Sequence, residues 1–339
     1  MYISKKSILV VVILLILSHP IIAQVSKADQ IDLLLKKYNE SGTFNGNVLV
    51  SLNNKVLYNS SFGFSDATKT EKLTPDYRFN IGSITKEFSA VALLQLQEKG
   101  KLKLEDKVSK FMPELSKWAD EVTIKDLLQY TSGIPNVIWK NIKNDKDLLN
   151  GLKLIDSLAF EPGTQYDYNN NTIFLRHFII EKITGMSYKS YVTKYLFKKC
   201  KMLTAVMTPF EFEENIAKGF NTKLIQDKPD LPITGGTYLT TLDLLKWVRC
   251  LHSKKLLNQN SLYIIGQYYA DESNQSGLGQ ATYSDKKLIT HVHDGSAENY
   301  KALLVSAINS KYSVILLSNS NSGKIFEIST AIEEILKIK

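Results

Sequence analysis

Residues 45–59 read Asn45-Gly46-Asn47-Val48-Leu49-Val50-Ser51-Leu52-Asn53-Asn54-Lys55-Val56-Leu57-Tyr58-Asn59. The alternating run Val48 to Leu52, the Asn53-Asn54 break and the second run from Lys55 spell a β-hairpin. A hairpin half-buried on one side needs further strands. Strand patterns return only near the other end of the chain, at 288–293, 302–309 and 313–318. Between them, residues 83–228 carry mostly helical periodicity, and helices at 28–39 (Ile31, Leu34 and Leu35 on one side) and 325–338 flank the two strand blocks. The simplest packing pairs the terminal strands. The expected fold class is therefore α+β, an antiparallel sheet flanked by helices plus a helical lobe. The sheet lobe would take residues 24–82 and 230–339 and the helical lobe 83–229, with a cleft between them as the natural site.

The chain has 339 residues, 44% hydrophobic and 22% charged, which is enough apolar material for a large core. With 17 Gly and 8 Pro it is neither collagen-like nor linker-dominated. Lys5 and Lys6 precede an apolar run over residues 8–17, then Ser18-His19-Pro20 and a small residue at Ala23, the order of a secretory signal covering residues 1–23. The run is short for a bilayer span. The mature chain, 24–339, is expected to be periplasmic or secreted with no stable span; a retained anchor is the alternative.

Formal charge is +8, and removing Lys5 and Lys6 with the signal leaves +6. Only Arg78, Arg176 and Arg249 are arginines, and lysines sit singly or in pairs, without a basic stripe. Nucleic acid is thus not expected as a partner. Cys200 and Cys250 admit two readings, a disulfide in an exported protein or buried thiols. The apolar-periodic helix around Leu244, Leu245, Val248 and Leu251 favours the thiols.

Three stretches carry chemistry. Ser83-Ile84-Thr85-Lys86 opens a helical pattern closed by Gly100. Three-residue spacing puts the Ser83 hydroxyl and the Lys86 amine on one face, at a helix start that stabilises negative charge. An N-cap serine beside a surface lysine is the bland alternative. Tyr168 and Asn170 follow a Pro162-Gly163 turn, and in an extended stretch residues two apart face the same way. A phenol beside the Lys86 ammonium would have its ionised form favoured and could take the Ser83 proton, while Asn170 could donate to a substrate carbonyl. His293-Asp294-Gly295-Ser296 ends an apolar strand, where glycine allows close approach and the Ser296 and Ser83 N–H groups could form an oxyanion hole. His291 and His293 share a strand face, but no further ligand stands nearby in sequence, so no metal is expected. There is no Gly-x-Ser-x-Gly elbow.

In order, Ser-Ile-Thr-Lys at 83–86, Tyr-Asn-Asn at 168–170 and His-Asp-Gly at 293–295 resemble the three motif boxes of the serine β-lactamase and penicillin-binding-protein superfamily, most of all its class C-like branch. Residues 127–134 resemble its Leu-Leu-x-His-Thr-Ser-Gly-Leu turn, and 235–240 its Gly-Gly-x-x-Ser-Thr stretch. The resemblance implies that Ser83 is an acylated nucleophile, that Lys86 and Tyr168 handle its proton, and that Asn170 orients substrate. It also implies that His293 stands where penicillin-binding proteins carry lysine, that Gly295 and Ser296 edge the substrate, and that no cofactor is needed. Two departures matter. The usual Pro-Gly-Phe after the third box reads Glu298-Asn299-Tyr300, with Asn299 expected to take the left-handed turn, and Asp294 replaces a carboxylate-binding threonine. An acid there disfavours anionic substrates. The expected function is an exported serine hydrolase acting on a small-molecule or peptide substrate, as a D-amino-acid peptidase or an esterase. The alternatives are a β-lactamase, a receptor that acylates without turnover, and a structural envelope protein.

Overall fold

In the computed structural model of the chain the described residues are 25–208, 213–228, 236–270, 274–321 and 324–337. The signal-like stretch 1–23 and Gly235 lie outside them. In chain order the first elements are α1 (Lys27–Glu40), β1 (Gly46–Leu52), β2 (Lys55–Phe62) and β3 (Phe79–Asn80). A 3-10 turn (Gly82–Thr85) then leads into α2 (Lys86–Glu98). The helical middle holds α3 (Ile124–Gln129), α4 (Asp145–Lys153), α5 (Asn170–Thr184) and α6 (Tyr188–Val192), which continues as a π-helical turn over Thr193–Phe197. There follow β4 (Val206–Met207), β5 (Thr237–Leu239), α7 (Thr241–His252), α8 (Gln259–Ile265), β6 (Gln280–Ser284), β7 (Lys287–Ala297), β8 (Tyr300–Ala307), β9 (Tyr312–Ser318) and α9 (Ile325–Leu336).

The large sheet runs β2-β1-β9-β8-β7-β6, antiparallel throughout, so the hairpin does pair with the C-terminal strands, through β1 against β9. Strand alternation sorts the apolar side chains. Val48, Val50, Leu303, Val305, Val314 and Leu316 pack with Ile31, Leu35, Ile325, Ile328 and Ile332 of α1 and α9. Their neighbours Leu49, Leu304, Ile315 and Leu317 point the other way into a larger core built with α2, α5 and α7. Because both faces are covered, β8 and β9 read as near-continuous apolar runs. A second sheet, β3-β5-β4, was not read from the sequence; its strands are only two or three residues long.

Cys200 and Cys250, read above as buried thiols, are joined in a disulfide, with Cα atoms 5.4 Å apart, tying α7 to the end of the π-helical turn. The helical periodicity of α7 was correctly read, but a buried cysteine on a helix is as compatible with a bond as with a thiol. Among the described residues no helix is long and apolar enough to cross a membrane.

Candidate active site

Two glycines bring the serine turn against β7. Strand β6 stops pairing at Gln280, opposite Val292, so the edge of β7 is open over residues 293–297. The turn Gly82–Thr85 docks there. A Cβ on Gly82, whose φ is +52°, would lie 2.4 Å from Ser296 N; one on Gly295 would lie 2.0 Å from Ile81 O and 2.9 Å from Ser83 N. Only bare α-carbons permit this approach. The hairpin from Ala297 to Tyr300 has a two-residue loop, so its closing pair is hydrogen-bonded and the next pair, Ser296 with Lys301, is not. The Ser296 N–H therefore points off β8, toward the turn that carries Ser83.

Lys86 begins α2, and its Nζ donates to Ser83 Oγ at 2.9 Å. Burial pushes the Lys86 amine below its usual range; the nearby Tyr130 opposes this and Arg176 adds to it. Tyr168 also hydrogen-bonds Ser83, and Lys86 Nζ stands 5.0 Å from its ring centre. The expectation that the lysine would favour the ionised phenol is overturned. Burial raises the Tyr168 pKa, the Ser83 hydrogen bond and the Arg176 charge offset it only in part, and Asp294 raises it further. The phenol is held in its neutral form, and the amine is the group whose proton affinity falls.

Tyr168 is held by the loop after α3. Tyr130, at φ +59°, closes that helix in the left-handed region and its carbonyl accepts the Asp167 N–H at 2.8 Å. Its ring lies 4.9 Å from that of Tyr168. Arg176, fully buried on α5, lies over the Tyr130 ring and donates to Leu127 O. Asn169 caps α5 and donates to Ile134 O at 2.6 Å, which buries it between exposed Asn170 and Tyr168, whose surface is 36% open although its phenol end is desolvated. The expected common direction of Tyr168 and Asn170 thus appears as an exposed–buried–exposed alternation, although Asn170 already begins the helix.

His293 is buried on the face of β7 that also carries Gly295. Its Nδ1 lies 2.7 Å from Glu87 Oε1, and His291 Nε2 lies 2.8 Å from the same oxygen. Trp247 Nε1 donates to Glu87 Oε2 at 2.6 Å, and His252 Nε2 meets His291 Nδ1 at 3.2 Å. Burial alone would raise the Glu87 carboxyl; its interactions with His291 and His293 outweigh that and hold it well below the carboxylate range. His252 is pushed down to about 3, by burial first and by His291 second, so it is neutral. The cluster joins one oxygen and two ring nitrogens within 4.8 Å, a donor set for which the sequence offered only the two histidines. The bonds to Oε1 have hydrogen-bond lengths.

Asp294, on the opposite face of β7, is partly exposed and bears electrostatically on Tyr168. Ser296 is exposed, and Lys301 Nζ donates to its hydroxyl at 2.9 Å. The loop between β7 and β8 does form its turn, but Glu298, at φ +46°, takes the left-handed position expected of Asn299. Asn299 instead holds Asp227 through its N–H at 3.1 Å and through its side-chain amide.

Glu87, Tyr130, Arg176, Trp247 and His252 were not singled out in the sequence. For Glu87 a signal existed: Ala90, Val91 and Leu94, at three, four and seven residues on, share its helix face, so an acid stands on an apolar stripe.

The chain and its fold resemble known proteins. The chain is 28% identical over 316 residues to protein flp of Staphylococcus aureus strain MW2, an alignment over 86% of this chain and 63% of that protein, so the chain spans less than two thirds of the relative's length. It superposes on a class C beta-lactamase with a TM-score of 0.80 at 24% identity, over 95% of this chain and 99% of that one. FmtA from Staphylococcus aureus gives a TM-score of 0.76 at 25% identity, over 92% of this chain and 90% of its own. The Beta-lactamase family model matches residues 31–336, nearly the whole chain, and the protein belongs to that family.

Proposed function

We propose that the chain is an exported serine hydrolase that cleaves an ester or amide through an acyl-enzyme on Ser83. The observation that carries this reading is the 2.9 Å bond from Lys86 Nζ to Ser83 Oγ, made by an amine whose burial lowers its proton affinity. In this reading neutral Lys86 takes the Ser83 hydroxyl proton as Oγ bonds to the substrate carbonyl carbon. The N–H groups of Ser83 and Ser296 hold the oxyanion, with donors of this kind contributing about 3 kcal/mol each. The carbonyl then reforms, the bond to the leaving group breaks, and a proton returns to that group through Tyr168, whose neutral phenol is a donor. Water, deprotonated by the same pair, releases the acyl group. Asn170 orients the substrate, and Gly295 and Ser296 line it.

Partly exposed Asp294, close enough to Tyr168 to raise its pKa, supports a substrate that is neutral or cationic near the scissile bond, with weak turnover of anionic β-lactams. Lys301 at Ser296 leaves the other end of the site less acidic. Export is supported by the signal-like order of residues 1–23 and by the Cys200–Cys250 bond.

Intact-mass spectrometry with a fluorophosphonate, beside a panel of nitrophenyl esters, D-alanyl peptides and a chromogenic cephalosporin, tests this. Wild type should label once, at Ser83, and turn over at least one ester or peptide faster than the cephalosporin. Ser83→Ala should do neither. A rapid cephalosporin rate would overturn the substrate reading, and a stable adduct without turnover would make the protein a receptor.

A further inference from the structure

The residue after Lys86 has no part in the scheme above, yet it is among the most completely buried charges in the molecule. Glu87 has no exposed surface and accepts three hydrogen bonds, from Trp247 on one oxygen and from His291 and His293 on the other. Trp Nε1 can only donate, so Oε2 is fixed as an acceptor and the orientation of the carboxylate is set. The ring of His293 is clamped from a second side: a Cβ on Gly279 would lie 2.6 Å from His293 Cγ and 2.8 Å from Cδ2.

We propose that Glu87 is the positioning residue for His293, accepting its Nδ1–H at 2.7 Å and thereby fixing the ring orientation and tautomer that turn Nε2 away from the carboxylate, on the face of β7 that carries the Ser83 turn. Gly295, two residues on and on the same face, is the residue against which Ser83 N packs, so the ring lies about 7 Å along the strand from that contact. This rests on the reading of Ser83 as nucleophile. Lys86 and Glu87, consecutive at the start of α2, point to different partners: one meets the serine, the other the histidine beside it. The His252–His291 bond completes the arrangement, with neutral His252 able to donate to His291 Nδ1 while His291 Nε2–H donates to Glu87.

A metal ion held by Glu87, His291 and His293 is the rival account. An ion needs each donor at about 2.0–2.2 Å with the donors spread around it, whereas here both nitrogens aim at one oxygen at hydrogen-bond distance.

Glu87→Gln tests the proposal. Trp247 N–H would claim the amide oxygen, leaving the amide NH2 to face both histidines, so the substituted side chain donates where Glu87 accepted and His293 Nδ1 must give up its proton. Three readouts apply: ester turnover, fluorophosphonate labelling, and 15N NMR of histidine-labelled protein. The expected result is kcat lowered roughly 10- to 100-fold with KM within about twofold, Ser83 still labelled, and the His293 Nδ1 resonance moved from the protonated to the unprotonated region. Wild-type kcat in the variant, or an unmoved Nδ1 resonance, overturns the proposal, as does stoichiometric zinc in purified wild type with activity lost on chelation. Should Glu87→Gln fail to fold, Gly279→Ala displaces the same ring without touching Glu87, and unchanged kcat there overturns the proposal equally. Absence of Ser83 labelling in wild type would instead sink the nucleophile assignment, a distinct outcome.

Discussion

The two faces of the large sheet are built by one alternation and serve different ends. Against α1 and α9, strands β1, β8 and β9 present Val and Leu, with Tyr312 at the start of β9 bonded to Glu333. Against α2, the same strands present Leu and Ile together with the buried Asn47, Ser51, Ser306 and Ser313, and β7 presents His291, His293 and Gly295. At the β7 end the charged groups can be buried because partners meet them: Glu87 meets both histidines and Trp247, and Lys86 meets Ser83. A buried polar group without a partner costs about 1–3 kcal/mol, a cost these bonds avoid at the end of β7 where the serine turn docks. Stability is drawn from the first face and chemistry from the second.

That contrast can be broken by substitutions on each side. The largest effect belongs to Ser83→Ala, which should lower kcat/KM on the order of 10⁴-fold or more while leaving the thermal midpoint within a degree or two. Lys86→Met should lower it by roughly 10²- to 10⁴-fold and leave the protein as stable or more stable at pH 7. The sign follows from the depressed folded-state pKa of Lys86: the unfolded chain binds the proton more readily, so this lysine's contribution to stability is present above its unfolded value and is lost as pH falls through the folded one. Urea denaturation at pH 7 and pH 10 should therefore show a slope in wild type that the variant lacks. On the dry face, Leu316→Ala should cost about 2–5 kcal/mol in urea denaturation with kcat per folded molecule unchanged. A large loss of kcat there would mean that the faces are mechanically coupled. The smallest effect is expected for Asp294→Asn, within about tenfold, as a gain in kcat/KM for anionic over neutral substrates measured on matched ester pairs.

Strands β1, β2, β7, β8 and β9 were legible in the sequence because they are seven to eleven residues with apolar stretches bounded by turn residues, and α1, α2, α5, α7 and α9 because of their apolar spacing; β6, Gln-Ala-Thr-Tyr-Ser, has no such stretch and was not read. Strands β3, β4 and β5 were not, since two or three residues carry no period. The three motif stretches could be recognised as sequence, but what they do to one another could not. The proton balance between Lys86 and Tyr168 depends on how far each is buried, which no spacing reveals, and the expectation for the phenol failed for that reason. Glu87 sat one residue from a quoted motif, and only its partners on β7 and α7, some 160 to 206 residues away, make sense of it. The left-handed residue of the β7–β8 turn was assigned to Asn299 on propensity; engagement of Asn299 with Asp227 passes that conformation to Glu298.

The pairing of β1 with β9 joins Gly46 to Ser318 and Leu52 to Tyr312 in the middle of the sheet. A ribosome must therefore make nearly the whole polypeptide before the central ladder can close, and until then the hairpin has no neighbour. Contacts so distant along the chain make folding slow, leaving a long interval in which the polypeptide is still loose enough to be threaded through a narrow pore. A stop codon before residue 312 would remove the middle of the sheet rather than trim its rim.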